Sequence, residues 1–255
     1  MLFVVSDIHS CYEPMIMVLK EKNFFESRKN KLVVIGDALD RGPDARKVID
    51  FLLSLHKEGR LIYIKGNHED LFLECIQEIE NGGILQIVCG MSHHYTNGTF
   101  STLLQISNMS ERDAVNSPCE LLERVKASDY YNILLPSCLN FYENEKYVFV
   151  HGFLPVIRNI KDNVVLYRYN PNWRNAENSV WRDAVWLNGI DMVCKNYITV
   201  PNKIVVVGHI HSSYGHRLYG DKNIVDKYSV FLDKGIMAID ACTVKSGKVN
   251  CLLLE

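Results

Sequence analysis

"VVIGDALDRGPD", residues 33–44, decides how this chain is read. An apolar run from Leu32 to Ile35 ends at Gly36, and Asp37, Asp40 and Arg41 follow at once. Unbroken apolar runs of this length read as strands covered on both faces. A strand that stops at a glycine and sends two carboxylates and a guanidinium past its carboxyl end puts charge where open α/β sheets bind ligands.

The flanking sequence repeats the arrangement. "LFVV" (2–5), "KLVVIG" (31–36) and "RLIYIKG" (60–66) read as strands. Helical spacing fills the intervals at 13–24, 43–59 and 69–80, with Pro14 and Pro43 suited to first turns and Gly59 to a terminator. Strand and helix alternating at this spacing predict a parallel sheet with right-handed crossovers. Residues 82–135 change to helical fragments and polar turns, and 153–200 to an irregular stretch rich in Asn, Arg and Trp. Both read as cap-forming insertions in a single domain spanning 1–255. "YVFVHG" (147–152) and "KIVVVGHIH" (203–211) return to the strand pattern, and 235–242 and 248–255 read as closing strands turned by "KSG".

Composition narrows the partners. A chain of 255 residues holds a sizeable core, and a net charge of −2 disfavours nucleic acid. The eight cysteines are scattered with no CxxC pair, which suits core thiols in a reducing compartment rather than a zinc cluster. No leader pattern opens the sequence, and no apolar run approaches ~18 residues. The expectation is a soluble, cytoplasmic protein without a membrane partner; oligomeric state is not readable.

Each apolar run ends in related chemistry: Asp7 and His9, then Asp37, Asp40 and Arg41, then Asn67 and His68, then His151, then His209 and His211. Five of the nine histidines lie in these loops, which random scatter would not produce. Carboxylates, imidazoles and one amide oxygen suit divalent ions such as Mn²⁺, Fe²⁺ or Zn²⁺. Several such donors suit two ions that together make a nucleophile and neutralise a phosphoryl group. Singly, each residue has a duller reading: Asp7 and Asp44 as helix caps, Asp40 with Arg41 as a surface ion pair, His151 as a core histidine. Together those readings require five independent coincidences.

The ordered set DxH, GDxxDRG, GNHE, H and GH resembles the calcineurin-like metallophosphoesterases. Its DRG resembles the phosphoprotein-phosphatase branch, which includes serine/threonine phosphatases, phage lambda phosphatase and the symmetrical diadenosine tetraphosphatases. "YTNGTFSTLLQ" (95–105), "LLPSCLNFYENEKYVFVHGFLP" and "IDACTVKSGKVNCLLLE" extend the resemblance over most of the chain, with 156–200 weakest. It implies an α/β fold, a four-layer α/β/β/α sandwich with mixed sheets and a helical cap. It implies two divalent metal ions, Mn²⁺ foremost with Fe, Zn or Ni as alternatives. Asp7 and His9 would hold the first ion, Asp37 would bridge, and Asn67, His151 and His209 would hold the second. His211 stands where the wider superfamily has a further ligand for the first ion. His68 would protonate the leaving oxygen, Asp40 would orient it, Arg41 would grip phosphate oxygens, and a metal-bridging hydroxide would attack phosphorus directly. Lys65 replaces an expected phosphate-binding arginine; Arg168, Arg174 and Arg182 are candidates for a second one.

The implied activity is hydrolysis of phosphomonoesters, with a serine/threonine protein phosphatase as the first reading and phosphorylated protein or a small phosphate compound as substrate. A dinucleoside polyphosphate hydrolase is the alternative. A phosphodiesterase and a non-catalytic metal-binding scaffold rank lower, because a scaffold needs no His68–Asp40 pair. His93 and His94 read as exposed cap residues. Trp173, Trp181 and Trp186 read as packing, with a stacking platform for a nucleobase as the alternative.

Overall fold

Alternation along β1 (Leu2–Ser6) sets the layers. Phe3 and Val5 turn to one side and Val4 to the other, and all three are fully buried. A strand with water on neither face has no reason to alternate polar residues, which is why it reads as a solid apolar run. The computed structural model describes residues 1–161, 164–220 and 224–255.

β1 pairs in parallel with β2 (Lys31–Ile35), and β2 with β3 (Leu61–Ile64). Helices α1 (Tyr12–Glu21) and α2 (Ala45–Lys57) make the crossovers, and α3 (Asn67–Glu80) follows β3. The insertion is helical throughout its regular elements: α4 (Ile84–Val88), α5 (His93–Thr96), α6 (Thr99–Ser107), α7 (Glu111–Asn116) and α8 (Pro118–Lys126). The second sheet begins with β4 (Tyr142–Glu143) and β5 (Tyr147–Phe149). A separate antiparallel hairpin, β6 (Ile157–Lys161) and β7 (Val164–Arg168), precedes α9 (Asn178–Ala184) and α10 (Gly189–Cys194). Then come β8 (Ile204–Val207), α11 (Ser212–Leu218), β9 (Phe231–Asp233), β10 (Ile236–Ala238), α12 (Thr243–Ser246) and β11 (Leu252–Leu254).

The sheets run β11-β1-β2-β3 and β4-β5-β8-β10-β9, and both are mixed. Val4, Val33, Ile35 and Ile64 of the first meet Phe149 and Val206 of the second in one apolar layer. On the outer face of the first sheet, Phe3, Val5, Leu32 and Val34 pack under α1, α2, α3 and the cap helices. On the outer face of the second, Val148, Val205, Val207 and Ile236 pack against Trp181, Ile190 and Val193 of α9 and α10. The result is the expected α/β/β/α order, with mixed sheets and a helical cap.

Two expectations change. The closing stretches do not form a hairpin: β10 pairs with β8 and β9, whereas β11 crosses to pair antiparallel with β1. Helix α12 and Gly247, at a φ of +67°, separate them. The stretch after 153 is also more regular than its Asn-rich sequence suggests, since it contains β6, β7, α9 and α10.

Candidate metal centre

Gly66 explains how two loops come together. A Cβ there would lie 2.2 Å from Asp37 Oδ1, so only glycine admits this approach. Glu69 then ties the loops. Its Oε2 accepts the backbone N–H of Gly66 at 2.7 Å and of Asp37 at 3.0 Å. Its Oε1 accepts Tyr63 Oη–H at 2.7 Å and Ala38 N–H at 3.2 Å. The last residue of "GNHE" is thus a buried clamp, a role not assigned from sequence; a glutamate at the third position of a helix is the signal for it. Helix α3 starts at Asn67, earlier than expected, so Asn67 and His68 sit in its first turn.

Two groups of donors share Asp37. His9, Asp37 and His68 offer ligand atoms within 4.8 Å of one another, and so do Asp37, His151 and His209. Asn67 Oδ1 lies 2.9 Å from His151 Nε2. Asp7 does not enter either group: both its oxygens lie 3.1 Å from the His209 backbone N–H, which they accept. His211 is not brought in; its side chain is 47% exposed, with Nε2 4.0 Å from Asp240. Asp240, buried near Asp7, was not singled out in the sequence.

The donor set fits divalent cations. Carboxylate, imidazole and amide oxygen suit such ions, and the imidazoles are oriented for them. His9 Nδ1 lies 3.0 Å from Leu39 O, and His151 Nδ1 3.0 Å from Ile35 O. A carbonyl can only accept, so each Nδ1 carries a proton and each Nε2 is the nitrogen turned to the group, where its lone pair serves a cation that displaces any proton held there. His68 follows suit, with Nδ1 2.7 Å from Asp40 Oδ2.

Backbone strain gathers here. Asp7, His9, Asp37, Asp40, Arg41 and His209 all hold φ between +48° and +71°. That left-handed conformation costs a non-glycine residue of order 1–3 kcal/mol and persists only where surroundings enforce it. Six of the ten residues marked from the sequence carry it.

Electrostatics follow from burial and the shared carboxylate. Burial opposes ionisation of Asp37, but His151 and His68 outweigh it and hold its carboxyl well below the usual range. Burial likewise opposes the charged form of His151, yet Asp37 raises it to about 10. Burial pushes His9 down to about 3 and His209 to about 4. Asp7 is raised well above a normal carboxyl by burial, with Asp240 adding to it.

Arg41 reaches both histidines, with Nη1 2.9 Å from His9 Nε2 and Nη2 3.0 Å from His68 Nε2. Asp40 is held by the cap. Its Oδ2 accepts Thr99 Oγ1–H at 2.7 Å, and its Oδ1 accepts Thr102 Oγ1–H at 2.6 Å. Both threonines are buried on α6 and were not marked from the sequence, although they lie in the quoted "YTNGTFSTLLQ".

Around this group the tryptophans divide. Trp173 and Trp181 are buried, while Trp186 is 50% exposed with its ring edge-on to His209 at 5.9 Å. Trp186 lines a cavity of about 410 Å³ with Pro155, Val156, Arg158, Tyr167 and Leu187. A second cavity of about 430 Å³ holds Lys65, Asp70, Trp181 and Arg182. Of the arginine candidates, Arg182 lines that cavity, Arg174 is clamped to Glu143, and Arg168 pairs with Ile157 across β6 and β7. His93 is exposed as expected, but His94 is buried.

The sequence profile of the family described as Calcineurin-like phosphoesterase matches residues 2–234. A symmetrical bis(5'-nucleosyl)-tetraphosphatase of Buchnera aphidicola subsp. Schizaphis graminum is 46% identical over 68 residues, 27% of this chain and 24% of the relative. An asymmetrical bis(5'-nucleosyl)-tetraphosphatase, PrpE, of Anoxybacillus flavithermus is 22% identical over 138 residues, 51% of each chain. The present chain therefore aligns with about a quarter to a half of these relatives' length. The solved structure of a cold-active protein tyrosine phosphatase superposes with a TM-score of 0.51 at 16% identity, covering 100% of this chain and 75% of that one. At that identity the likeness is one of fold. No helix among the described residues is long and apolar enough to cross a membrane.

Proposed function

Because this chain belongs to the calcineurin-like phosphoesterase family, we propose that it is a metal-dependent hydrolase of dinucleoside polyphosphates. The observation that carries the substrate class is Trp186: a half-exposed indole beside His209, opening onto a cavity shared with Tyr167 and Arg158. An aromatic face next to a phosphate site suits a nucleobase, which stacks on it. The tetraphosphatase relatives support the same choice. The protein phosphatase reading ranks second, since nothing comparable marks a peptide groove among the described residues.

His9, Asp37, Asn67, His151 and His209 would hold two divalent cations, with Asp37 common to both, and Asp7, which lies against the His209 backbone N–H, would join them as a further carboxylate donor; Mn²⁺ is the first cation to try. The cations, when bound, supply Lewis acidity to the phosphoryl oxygens and a water acidic enough to attack near neutral pH. Arg41 turns its planar fork to the oxygens of the attacked phosphate. Lys65, which pairs with Asp70 in the same cavity, and Arg182 would take the charge of the remaining phosphates. Burial lowers the basicity of His68, but Asp37 and Asp40 together outweigh it and raise it. Once Arg41 engages phosphate, His68 Nε2 carries a proton to the departing oxygen, while Asp40 fixes the ring through Nδ1. The stretches at 82–135 and 153–200 act in this reading as parts of one domain, the first through Thr99 and Thr102 on Asp40, the second through Trp186.

The test is a panel run with added Mn²⁺: p-nitrophenyl phosphate, bis-p-nitrophenyl phosphate, a phosphothreonine peptide and diadenosine tetraphosphate, each against Asp37→Asn as the dead control. The dinucleotide is expected to have the highest kcat/KM. If the peptide leads instead, the protein phosphatase reading replaces this one.

A further inference from the structure

Helix α3 carries a second set of donors one face away from the metal centre. Glu74 and Glu78 stand four residues apart, so they share one side of the helix. Against them lies α5, which supplies His93 and His94. Glu74, His93 and His94 each offer a ligand atom, and these atoms lie within 4.8 Å of one another.

His94 is the informative member. It is 2% exposed, and its Nε2 faces Glu78 Oε2 at 3.5 Å. A ring nitrogen facing a carboxylate is the one that carries the proton. Nδ1 is then the lone-pair nitrogen. It is buried and has no hydrogen-bond partner. Leaving a buried acceptor unmet costs about 1–3 kcal/mol, so such atoms call for an explanation. The ring of His93 lies 4.2 Å from that of His94. His94 with its unpartnered Nδ1, the imidazole of His93 and the carboxylate of Glu74 stand together as a set of cation donors.

We propose that Glu74, His93 and His94 bind one divalent cation of the zinc type, separate from the group around Asp37. Two imidazoles and a carboxylate are the donors of zinc sites, and a three-ligand protein site leaves one tetrahedral position for water. Glu78 orients the site from behind, through His94 Nε2 and through Ser92, whose Oγ–H it accepts at 2.9 Å. Ser92 in turn accepts the His94 backbone N–H at 3.3 Å, which fixes the start of α5.

The role that follows is structural. Helix α5 runs through Gly98 into α6, whose Thr99 and Thr102 hold Asp40. Helix α3 begins with Asn67 and His68. A cation joining α5 to α3 would pin both supports of the His68–Asp40 pair.

The experiment uses the full chain, stripped by a chelator and re-equilibrated in buffered free zinc, with zinc per chain counted by atomic absorption. Wild type is compared with His93→Ala and Glu74→Gln, both exposed positions whose replacement leaves the core alone. Each variant is expected to hold one zinc fewer than wild type and to lose part of the rise in Tm that zinc confers. The difference is what counts, so the result does not depend on how many ions the Asp37 group takes or on which substrate is cleaved. Equal zinc in all three proteins overturns the proposal.

Discussion

Asp40 Oδ2 receives the Nδ1–H of His68 at 2.7 Å while accepting Thr99 at the same distance. The carboxylate cannot rotate without breaking one bond or the other, so the imidazole has one orientation, with Nε2 turned to the metal centre. If His68 donates a proton to the leaving oxygen, its removal should matter most where that oxygen is a poor leaving group. His68→Asn is expected to lower turnover of an aliphatic phosphomonoester by ~10²–10⁴, and that of p-nitrophenyl phosphate by much less. Metal content should stay at the wild-type level. Equal losses on both substrates would remove the proton-donor role.

The cap contributes through Thr99 and Thr102. Thr102 Oγ1 both donates to Asp40 Oδ1 at 2.6 Å and accepts the Asp40 backbone N–H at 3.1 Å. Thr102→Val keeps the volume and removes both bonds. Groups that orient a working histidine are worth about 10–100-fold when lost, and the expected fall in kcat lies in that range. KM should hold, because both threonines are buried beneath Asp40. A rise in KM with kcat unchanged would place α6 in the binding surface instead.

Asp37 is shared by both donor groups, with His151 Nε2 3.3 Å from Oδ1 and His68 Nε2 3.8 Å from Oδ2. Asp37→Asn removes the common anion, so metal occupancy and hydrolysis are expected to disappear together. A chelator should reproduce the loss in wild type, and Mn²⁺ should reverse it there but not in the variant. Two tightly held ions per chain in Asp37→Asn would show that the bridge lies elsewhere.

Legibility differed by the reach of each interaction. The strands and the residues at their ends could be read because burial on both faces leaves solid apolar runs, and because charge directly after such a run has few structural uses. Asp37, His9, His68, His151 and His209 converge for that reason. What supports them was hidden. Thr99 and Thr102 lie about 60 residues from Asp40 along the chain and look like ordinary helix residues until α6 is packed. Glu69 was visible as a letter of its motif, but its four donors come from two separate stretches, 37–38 and 63–66. Trp173, Trp181 and Trp186 recur at roughly helical intervals, and only the packing around α9 divides them into two core residues and one exposed ring. Pairing between sheets is equally invisible locally, as β11 beside β1 illustrates.

Trp186 offers a test of the substrate class that is independent of the metals. Stacking of one base on an aromatic ring contributes about 1–3 kcal/mol. Trp186→Ala is therefore expected to raise KM for diadenosine tetraphosphate about tenfold or more, and to raise KM for p-nitrophenyl phosphate far less. Phe at this position should restore most of the loss. A KM for the dinucleotide that does not move would take the nucleobase out of the Trp186 cavity.

Glu143 provides a stability test away from the metal centre. Arg174 grips it with both arms, Nε at 2.6 Å from Oε1 and Nη2 at 2.8 Å from Oε2, and Lys203 adds a contact at 3.0 Å. Arg174 also lies over the ring of buried Trp173, 4.3 Å from its centroid. The Arg174 hydrogen bond, opposed by partial burial and helped by Lys203, draws the Glu143 carboxyl down to about 2. A depressed carboxyl binds protons more readily in the unfolded chain, so stability rises with pH across the interval between the two values. The contribution is complete above the ordinary glutamate range and is lost as pH falls toward about 2. The group is partly solvated, so screening limits it to about 1 kcal/mol, and a chain of this size should lose ~2–4 °C of Tm with Glu143→Gln near neutral pH. That difference between variant and wild type should shrink steadily at pH values below the ordinary glutamate range. A difference in Tm that stays constant on acidification would mean that Glu143 acts through packing rather than through its charge.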